Sequence, residues 1–321
     1  MRIMPGYAYC IIQSGRIIRQ DCFGYADIEN RIPITPSTAF RLASLTKLFT
    51  AMAIMILKDQ QQLCFEDSML RFFPLFPRWG KPITIRHLLT HTSGMPDHEK
   101  PLYRRIKLGE EPTMSDALEV LKKEKPLFRA GTKYKYSDAG FVILALIIER
   151  ITGLKYREFL KESVFFPLKM TETVVVDETK PCISNRAYGY KKNGNFFENF
   201  DYDPLNWIVG DEGIYSTIND LSKWIESWNN DLLVSEAILK EALTSFRISE
   251  NKYSRCAFSW FISKSKNQPI RFHDGSWVGF RNIVFVDVKR EKTVIFLSNT
   301  TGLDSERQRI SVVKKLLDLV Y

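Results

Sequence analysis

The sequence FRLASLTKLFTAMAIMILK, residues 40–58, decides the fold. From Leu45 to Leu57, apolar side chains cover almost every face of the helix that this stretch predicts, and a helix that is apolar all round is buried in a protein core. Ser44, Thr46 and Lys47 lie at the start of that helix. The stretch therefore predicts an interior helix that begins with a serine and, unusually for such an element, a cation.

Strand patterns lie near both ends of the chain. Residues 7–12 and 16–23 are typical of two strands joined by a hairpin turn at Gln13-Ser14-Gly15. Strand patterns return after Tyr253, at residues 257–263, 270–273, 282–288 and 293–298. A second hairpin turn, at residues 289–292, joins the last two. Strands at both ends predict one sheet that the two termini build together.

Helical patterns fill the middle of the chain and return at its end. We predict helices at residues 85–89, 115–123, 139–151, 218–228 and 305–321. The last of these carries an apolar stripe of Ile310, Val313, Leu317 and Val320. The expected fold class is α+β, an α/β sandwich in which helices flank an antiparallel sheet built from both termini and a mostly helical subdomain is inserted. We expect a single domain over residues 5–315, with a sheet region at 5–40 and 253–321 and a helical region at 41–252.

Composition argues against several classes of function. The 321 residues carry a formal net charge of +9, but the basic residues are spread in short clusters such as Lys122-Lys123. Without an arginine-rich arm or interleaved aromatics, a solvated basic surface is expected and a nucleic-acid interface is not. The five cysteines form no C-x-x-C pair, which argues against a disulfide framework and a zinc knuckle. The longest apolar run is far shorter than a membrane span.

One spacing imitates a metal site. His87 and His91 have the H-x-x-x-H spacing of a zinc helix, but Leu88 stands where the catalytic glutamate would be, and Ser93-Gly94 breaks the helix. The sequence also has no G-x-S-x-G elbow and no glycine-rich phosphate loop. We therefore expect no metal and no cofactor, and no nucleophile of the α/β-hydrolase type.

Ser44-Leu45-Thr46-Lys47 forms an S-x-x-K motif at the start of the buried helix. Residues three apart share a helix face, with Cβ atoms about 5–6 Å apart, so Lys47 can lie beside the Ser44 hydroxyl. A partly desolvated lysine has a lowered pKa and could take the proton of that hydroxyl, and a helix N-terminus favours a developing oxyanion. A helix cap followed by a surface lysine is the alternative, and the apolar helix behind the motif weighs against it.

Two later segments could complete an active site. Tyr136 precedes a second apolar helix and could accept the serine proton as a phenolate, if Lys47 keeps its pKa low; a packed tyrosine beside an N-cap is the alternative. The sequence His273-Asp274-Gly275-Ser276 ends a predicted strand. A glycine there lets a substrate come close, and the next N–H can serve an oxyanion hole; a plain turn between strands is the alternative.

In this order the three motifs resemble the signature of the penicillin-recognising serine enzymes, which is S-x-x-K, then Y-S-N, then K-T-G or H-x-G. The chain looks like the class C branch of the serine β-lactamase-related family, which includes class C β-lactamases, D-stereospecific peptidases and related esterases. The resemblance covers nearly the whole chain and rests on residues 40–47, 88–94, 134–140 and 213–217.

This resemblance implies a β-lactamase/transpeptidase-like fold and gives roles to the motif residues. Ser44 would be the nucleophile, Lys47 its helper, and Tyr136 the general base that later activates the deacylating water. The backbone N–H groups of Ser44 and Ser276 would form the oxyanion hole. The implied substrate-binding residues are Asp138, His273, Gly275 and Ser276.

Two positions depart from the family pattern. Asp138 stands where asparagine is usual, so a donor amide becomes an acceptor carboxylate, which favours a substrate ammonium or weakens binding of an acyl amide. His273 replaces the lysine of true β-lactamases; it is mostly neutral at pH 7 and gains a proton only below about pH 6.5. We therefore expect an esterase or D-amino-acid peptidase or amidase, only weakly active on β-lactams, whose partner is a small-molecule or short-peptide substrate. A slow penicillin-binding or scaffold protein on the same fold is the alternative.

The start of the chain also differs from the family, whose members usually carry a helix, and often an export signal, before the first strand. Strand-like sequence here begins at Tyr7. We expect either a truncated gene product or, if the chain is complete, a cytoplasmic protein, although the family is usually periplasmic or secreted. The sequence leaves the compartment, the oligomeric state and the natural substrate open.

Overall fold

The computed structural model of the protein describes residues 3–249, 252–265 and 268–318. Its strands in those ranges are β1 (Tyr7–Gln13), β2 (Arg16–Phe23), β3 (Tyr25–Asp27), β4 (Ile32–Pro33), β5 (Phe40–Arg41), β6 (Val174–Val175), β7 (Tyr190–Asn193), β8 (Phe196–Asn199), β9 (Ile214–Ser216), β10 (Arg247–Ser249), β11 (Lys252–Tyr253), β12 (Cys256–Ala257), β13 (Trp260–Ser265), β14 (Gln268–Trp277), β15 (Phe280–Asp287) and β16 (Lys292–Ser298). Its α-helices there are α1 (Thr46–Asp59), α2 (Ile85–Leu89), α3 (Glu99–Ile106), α4 (Met114–Lys123), α5 (Asp138–Thr152), α6 (Tyr156–Leu160), α7 (Ile218–Glu226), α8 (Glu236–Ala242) and α9 (Glu306–Asp318).

A seven-stranded antiparallel sheet joins the two ends of the chain. Its strand order is β12-β13-β14-β15-β16-β1-β2, so the N-terminal hairpin extends a sheet that the C-terminal strands begin. β1 pairs with β16 in a register that runs from Tyr7 opposite Ser298 to Gln13 opposite Lys292. The predicted antiparallel sheet built from both termini is confirmed.

Helices cover both faces of this sheet. Because side chains alternate along a strand, successive residues of β1 and β16 face opposite layers. One face packs against α9, in a cluster that includes Tyr9, Ile11, Phe296, Val313 and Leu317. The other face joins the main core, which includes Ala8, Cys10, Ile295 and Leu297 together with most of α1 and α5. This arrangement confirms the α+β class with flanking helices.

Helix α1 runs through the main core. Every residue from Thr46 to Leu57 is buried, as the apolar pattern predicts. Phe49 stacks on Trp224 of α7, with ring centroids 4.3 Å apart. Ser44 lies in a single 3-10 turn, Ala43–Leu45, which leads directly into the helix. In the described ranges, no helix is long and apolar enough to cross a membrane.

Several elements differ from their predicted bounds. The predicted strand at residues 257–263 is two paired strands, β12 and β13, because Phe258 and Ser259 adopt positive φ values of 36° and 73° and turn the chain without a glycine. The sequence patterns do not predict α3, α6 and α8, which have eight, five and seven residues and therefore give few repeats of a periodic pattern. Val320, the last residue of the predicted C-terminal stripe, lies outside the described residues.

Asn282 of β15 fastens the segment before α1 to the sheet. Its side chain is fully buried, and Nδ2 donates to the carbonyl oxygens of Arg41 and Leu42 at 2.8 and 3.2 Å. Its Oδ1 accepts from the backbone N–H of Ser298 at 3.2 Å. One side chain thereby pairs three backbone groups that water does not reach.

We expect Asn282→Ala to lower the free energy of unfolding by at least about 2 kcal/mol, because each buried polar group left unpaired costs about 1–3 kcal/mol. Urea unfolding followed by tryptophan fluorescence measures the change. Asn193→Ala is the matched control, since its side chain is exposed and donates to Glu198 at the surface. That control should change stability by less than about 0.5 kcal/mol. Equal losses in the two variants would contradict the anchoring role.

Candidate active site

Ser44 lies half-buried in the turn before α1, and the Lys47 side chain lies behind it. The Lys47 ammonium, which has no exposed surface, donates to Ser44 Oγ at 3.1 Å and to the backbone carbonyl of Asp211 at 3.0 Å. Its Nζ also lies 2.6 Å from Oδ1 of Asp138. The structure thus brings together the two residues of the S-x-x-K motif, and Lys47 is not a surface lysine.

The pKa of Lys47 is raised well above its ordinary value. Burial alone would lower that pKa, but the negative charges of Asp138 and Asp211 and the Tyr136 phenol favour the ammonium form. The expectation of a lowered pKa is therefore wrong, because it included desolvation and left out the ion pair with Asp138. Lys47 is a cation in the resting site and stabilises negative charge there.

Tyr136 lies on the other side of Lys47. Nζ of Lys47 is 5.2 Å from the centroid of the tyrosine ring. Burial raises the pKa of Tyr136, and the charge of Lys47 together with hydrogen bonds to Ser44 and Lys47 only partly offsets it, while Asp138 raises it further. The expectation that Lys47 keeps this pKa low is wrong in the resting state, since burial outweighs the effect of the lysine charge and the carboxylate of Asp138 opposes that effect as well. Tyr136 is a neutral phenol at rest.

His91 positions the segment that carries Tyr136. The two rings stack with centroids 4.3 Å apart, and Nδ1 of His91 accepts from the backbone N–H of Ser137 at 3.0 Å. Burial lowers the pKa of His91 to about 3, so this nitrogen remains an acceptor at neutral pH. His87 accepts instead from the backbone N–H of Thr84 at the start of α2. Each histidine of the H-x-x-x-H pair therefore accepts from a backbone N–H group, His87 within its own segment and His91 from the segment that carries Tyr136.

Strand β14 comes into close contact with the Ser44 turn at Gly275. A Cβ on residue 275 would lie 2.2 Å from the carbonyl oxygen of Leu42 and 3.3 Å from Cβ of Ala43, so only glycine fits. Ala43 itself has φ at +53°, a sparsely populated conformation for a residue with a side chain. Ser276 follows with an exposed side chain. The contact brings the end of β14 to the nucleophile candidate, as an oxyanion hole requires, and that role stays a prediction.

His273 and Asp274 face opposite sides of β14. Asp274 forms an ion pair with Arg309 of α9, whose Nε lies 2.9 Å from Oδ2. His273 is fully buried on the other side; its ring stacks on Phe261 at 5.0 Å and lies 6.3 Å from the ring of Tyr136. Burial lowers the pKa of His273 to about 4, so the expected gain of a proton near pH 6.5 is wrong. The imidazole stays neutral over the whole physiological range.

Further carboxyl groups surround Asp138, and the sequence motifs do not identify them. Asp138 is 33% exposed; burial would raise its pKa, but Lys47 outweighs that effect and lowers it. Burial, with the charge of Asp138, raises the pKa of Glu99 to about 7 and that of Asp211 to about 7, and burial raises that of Glu212 well above its usual range. These residues come from α3 and from the loop before β9, so no local pattern connects them.

The sequence of the chain is similar to one protein family and to curated relatives in it. The model of the β-lactamase family matches residues 1–317. Penicillin-binding protein 4* of Bacillus subtilis is 31% identical over 301 residues, which make up 89% of this chain and 66% of that protein. Protein flp of Staphylococcus aureus strain N315 is 24% identical over 302 residues, 92% of this chain and 60% of that protein. The chain thus spans about two thirds or less of the length of these relatives.

Solved structures share the fold. An octameric penicillin-binding protein homologue from Pyrococcus abyssi has a TM-score of 0.82 at 25% identity, over 98% of this chain and 74% of that one. D-amino acid amidase from Ochrobactrum anthropi SV3, complexed with D-phenylalanine, has a TM-score of 0.81 at 20% identity, over 99% and 95% of the two chains. The expected fold of the β-lactamase and transpeptidase type is confirmed.

Asp138→Asn should make Ser44 reactive at lower pH. Asp138 raises the pKa of both Lys47 and Tyr136, so its loss favours the deprotonated form of each. We expect the alkaline rise in the rate at which a fluorophosphonate labels Ser44 to shift down by about one pH unit or more. Labelling rates between about pH 6 and pH 10 provide the measurement.

The matched control for this shift is Asp231→Asn, which removes an exposed carboxylate between α7 and α8. Its labelling profile should coincide with that of the wild type. If the Asp138→Asn profile coincides as well, Asp138 does not control the protonation of the site.

Proposed function

The chain belongs to the β-lactamase family, and from that premise we propose that it is a serine hydrolase that forms an acyl-enzyme on Ser44. The proposed substrates are small esters, or small amides and short peptides of D-residues. The observation that carries this proposal is the 3.1 Å contact between the buried ammonium of Lys47 and the hydroxyl of Ser44. A buried lysine beside an accessible serine can assist acyl transfer, whereas its charge contributes little to the packing of a core.

In the proposed reaction, Ser44 Oγ attacks the substrate carbonyl while its proton moves to the oxygen of an ionised Tyr136. That ionised state is a minor one, and the ammonium of Lys47 stabilises it. The proton then passes to the departing alcohol or amine, which leaves an ester on Ser44. A water molecule next gives its proton to Tyr136 and attacks this ester, and the proton returns to Oγ as the acid departs.

The charges around Ser44 support weak activity towards β-lactams. Penicillins and cephalosporins carry a carboxylate, which a lysine ammonium would bind more strongly than the neutral imidazole of His273. Asp138 is a carboxylate in the same site and repels that group. We therefore propose that neutral and cationic acyl substrates are preferred over anionic ones.

One observation favours the slower alternative, a penicillin-binding protein that is acylated but turns over poorly. Both Lys47 and Tyr136 have raised pKa values, so a ready base is scarce at neutral pH. Such a protein would still be labelled at Ser44. It would differ from a hydrolase in keeping the label, because deacylation also needs Tyr136 as a base.

A fluorophosphonate probe and a fluorescent penicillin should each attach one label per chain at Ser44, and Ser44→Ala should abolish both labels and the hydrolysis of p-nitrophenyl butyrate. Ser115→Ala is the control, since it removes an exposed serine at the start of α4. Mass spectrometry of the intact protein and the ester assay provide the readouts. Labelling of Ser44→Ala at the level of the control would refute the assignment of the nucleophile.

Tyr136→Phe should lower kcat/KM for the same ester by about 10²–10⁴-fold, the usual loss on removal of a general base. Tyr134→Phe is the matched control, because it removes the hydroxyl of a half-buried tyrosine two residues earlier. The melting temperature is recorded for both variants. A Tyr136→Phe protein that is as active as the control, with an unchanged melting temperature, would show that the phenol is not the base.

A further inference from the structure

An acidic cavity adjoins the Lys47–Asp138 pair. We use this name for the space lined by Glu99, Asp211 and Glu212 together with His98, Leu205, Ile208 and Trp277. Glu99 and His98 also line a neighbouring cavity of about 180 Å³, which Asp138 and Tyr136 border. The two spaces therefore share a wall formed by His98 and Glu99. Asp138 and Tyr136, which border the neighbouring cavity, both lie next to Lys47.

Negative groups outnumber positive ones at this place. Glu99, Asp211 and Glu212 form no ion pair with any side chain in the described ranges 3–249, 252–265 and 268–318. The ammonium of Lys47 donates to the backbone carbonyl of Asp211 at 3.0 Å, but its ion pair is with Asp138, at 2.6 Å. Asp211 is buried, and Glu99 and Glu212 are half-buried. Carboxyl groups removed from water without a counter-charge are rare in proteins, because transfer of their charge from water is costly. The acidic cavity is therefore short of a cation.

Two polar atoms at the acidic cavity have no partner. Oδ1 of Asp211 and Nδ1 of His98 are buried and make no hydrogen bond within the part of the chain that the structure describes. Asp211 is 4% exposed and His98 is 2% exposed, and both side chains line the cavity. Native structures leave few such atoms unpaired, so each one needs an explanation. A bound group that donates hydrogen bonds would pair Asp211.

The size and walls of the acidic cavity limit what that group can be. It leaves about 10 Å³, which is room for one group of the size of a water molecule. An ammonium has that size and carries three donors. The half-buried indole side chain of Trp277 forms part of the wall.

We propose that the acidic cavity binds the ammonium group of the substrate, so that the protein acts on esters or amides that carry a free amino group close to the scissile carbonyl. This proposal rests on the proposed function, since Ser44 must be the nucleophile. Lys47 Nζ contacts both Ser44 Oγ, at 3.1 Å, and the backbone carbonyl of Asp211, at 3.0 Å, so a residue that lines the cavity lies within two contacts of the nucleophile. An α-amino acid ester or amide has its amino group at that position.

The charge state of the carboxyl groups agrees with such a ligand. Burial and neighbouring carboxylates raise the pKa of Glu99 and of Asp211 to about 7, so in the absence of a ligand these groups hold protons near neutral pH. An incoming ammonium favours their ionised forms and replaces those protons. The cavity then holds the counter-charge that it lacks in the empty protein.

Three chromogenic substrates that differ in charge test the proposal. D-alanine p-nitroanilide is cationic, its N-acetyl form is neutral, and the β-lactam nitrocefin is anionic. We expect the wild type to prefer the cationic anilide over its neutral form by about tenfold or more in kcat/KM, the factor that one charge-assisted hydrogen bond provides. In Glu99→Gln and Asp211→Asn this ratio should fall by about tenfold, and in the control Asp231→Asn it should not change. An unchanged ratio in both cavity variants would overturn the proposal.

Binding to Ser44→Ala tests the acidic cavity without turnover. Calorimetry with D-alaninamide and N-acetyl-D-alaninamide should show binding of the cationic amide at least about tenfold tighter than of the neutral one. Equal affinities would overturn the ammonium site even if Ser44 is labelled and esters are hydrolysed. Tighter binding of the cation to a protein that no probe labels at Ser44 would instead refute the hydrolase and leave a cation-binding site.

Discussion

The ammonium of Lys47 has no contact with water, and the ion pair that keeps it charged connects the main parts of the molecule. A buried cation is tolerated only when its charge is paired and its remaining donors are used. Lys47 belongs to α1, its carboxylate partner Asp138 begins α5, and the carbonyl that takes another of its donors is that of Asp211, before β9. Three distant segments therefore have to meet at one atom, and Ser44 lies where they meet.

The identity of residue 138 sets the balance of protons in this site. An asparagine would pair with Lys47 as a dipole, whereas the carboxylate of Asp138 cancels its charge and also opposes ionisation of Tyr136. The resting site therefore contains an ammonium and a neutral phenol. With an asparagine at position 138, Lys47 and Tyr136 would lose their protons more readily, but the site would bind a substrate cation less tightly. Substitution of Asp138 by asparagine would therefore raise reactivity at neutral pH and weaken the preference for cationic substrates.

Local patterns in the sequence were sufficient for α1 and for most strands of the large sheet, because a helix apolar on all faces and strands with turn residues between them each leave a periodic signal. The meeting of Ser44 with Lys47 follows from helical spacing alone. The pKa values of Lys47, Tyr136 and His273 could not be predicted in this way, since they depend on burial and on charges from other segments. Glu99 and Asp211 could not be predicted as site residues for the same reason: they become neighbours only in the folded chain.

The carboxyl groups of the acidic cavity lower the stability of the fold at neutral pH. The pKa of Glu99 and of Asp211 is raised to about 7 in the folded protein, above the value near 4 of an unfolded chain. A carboxyl group with a raised folded pKa contributes stability below its unfolded pKa, and this contribution is lost as the pH rises between the two values. Packing alone would favour an apolar residue at either position. Groups that destabilise a protein near neutral pH are typical of sites that bind or react, and a cation bound beside these carboxylates would restore the lost stability.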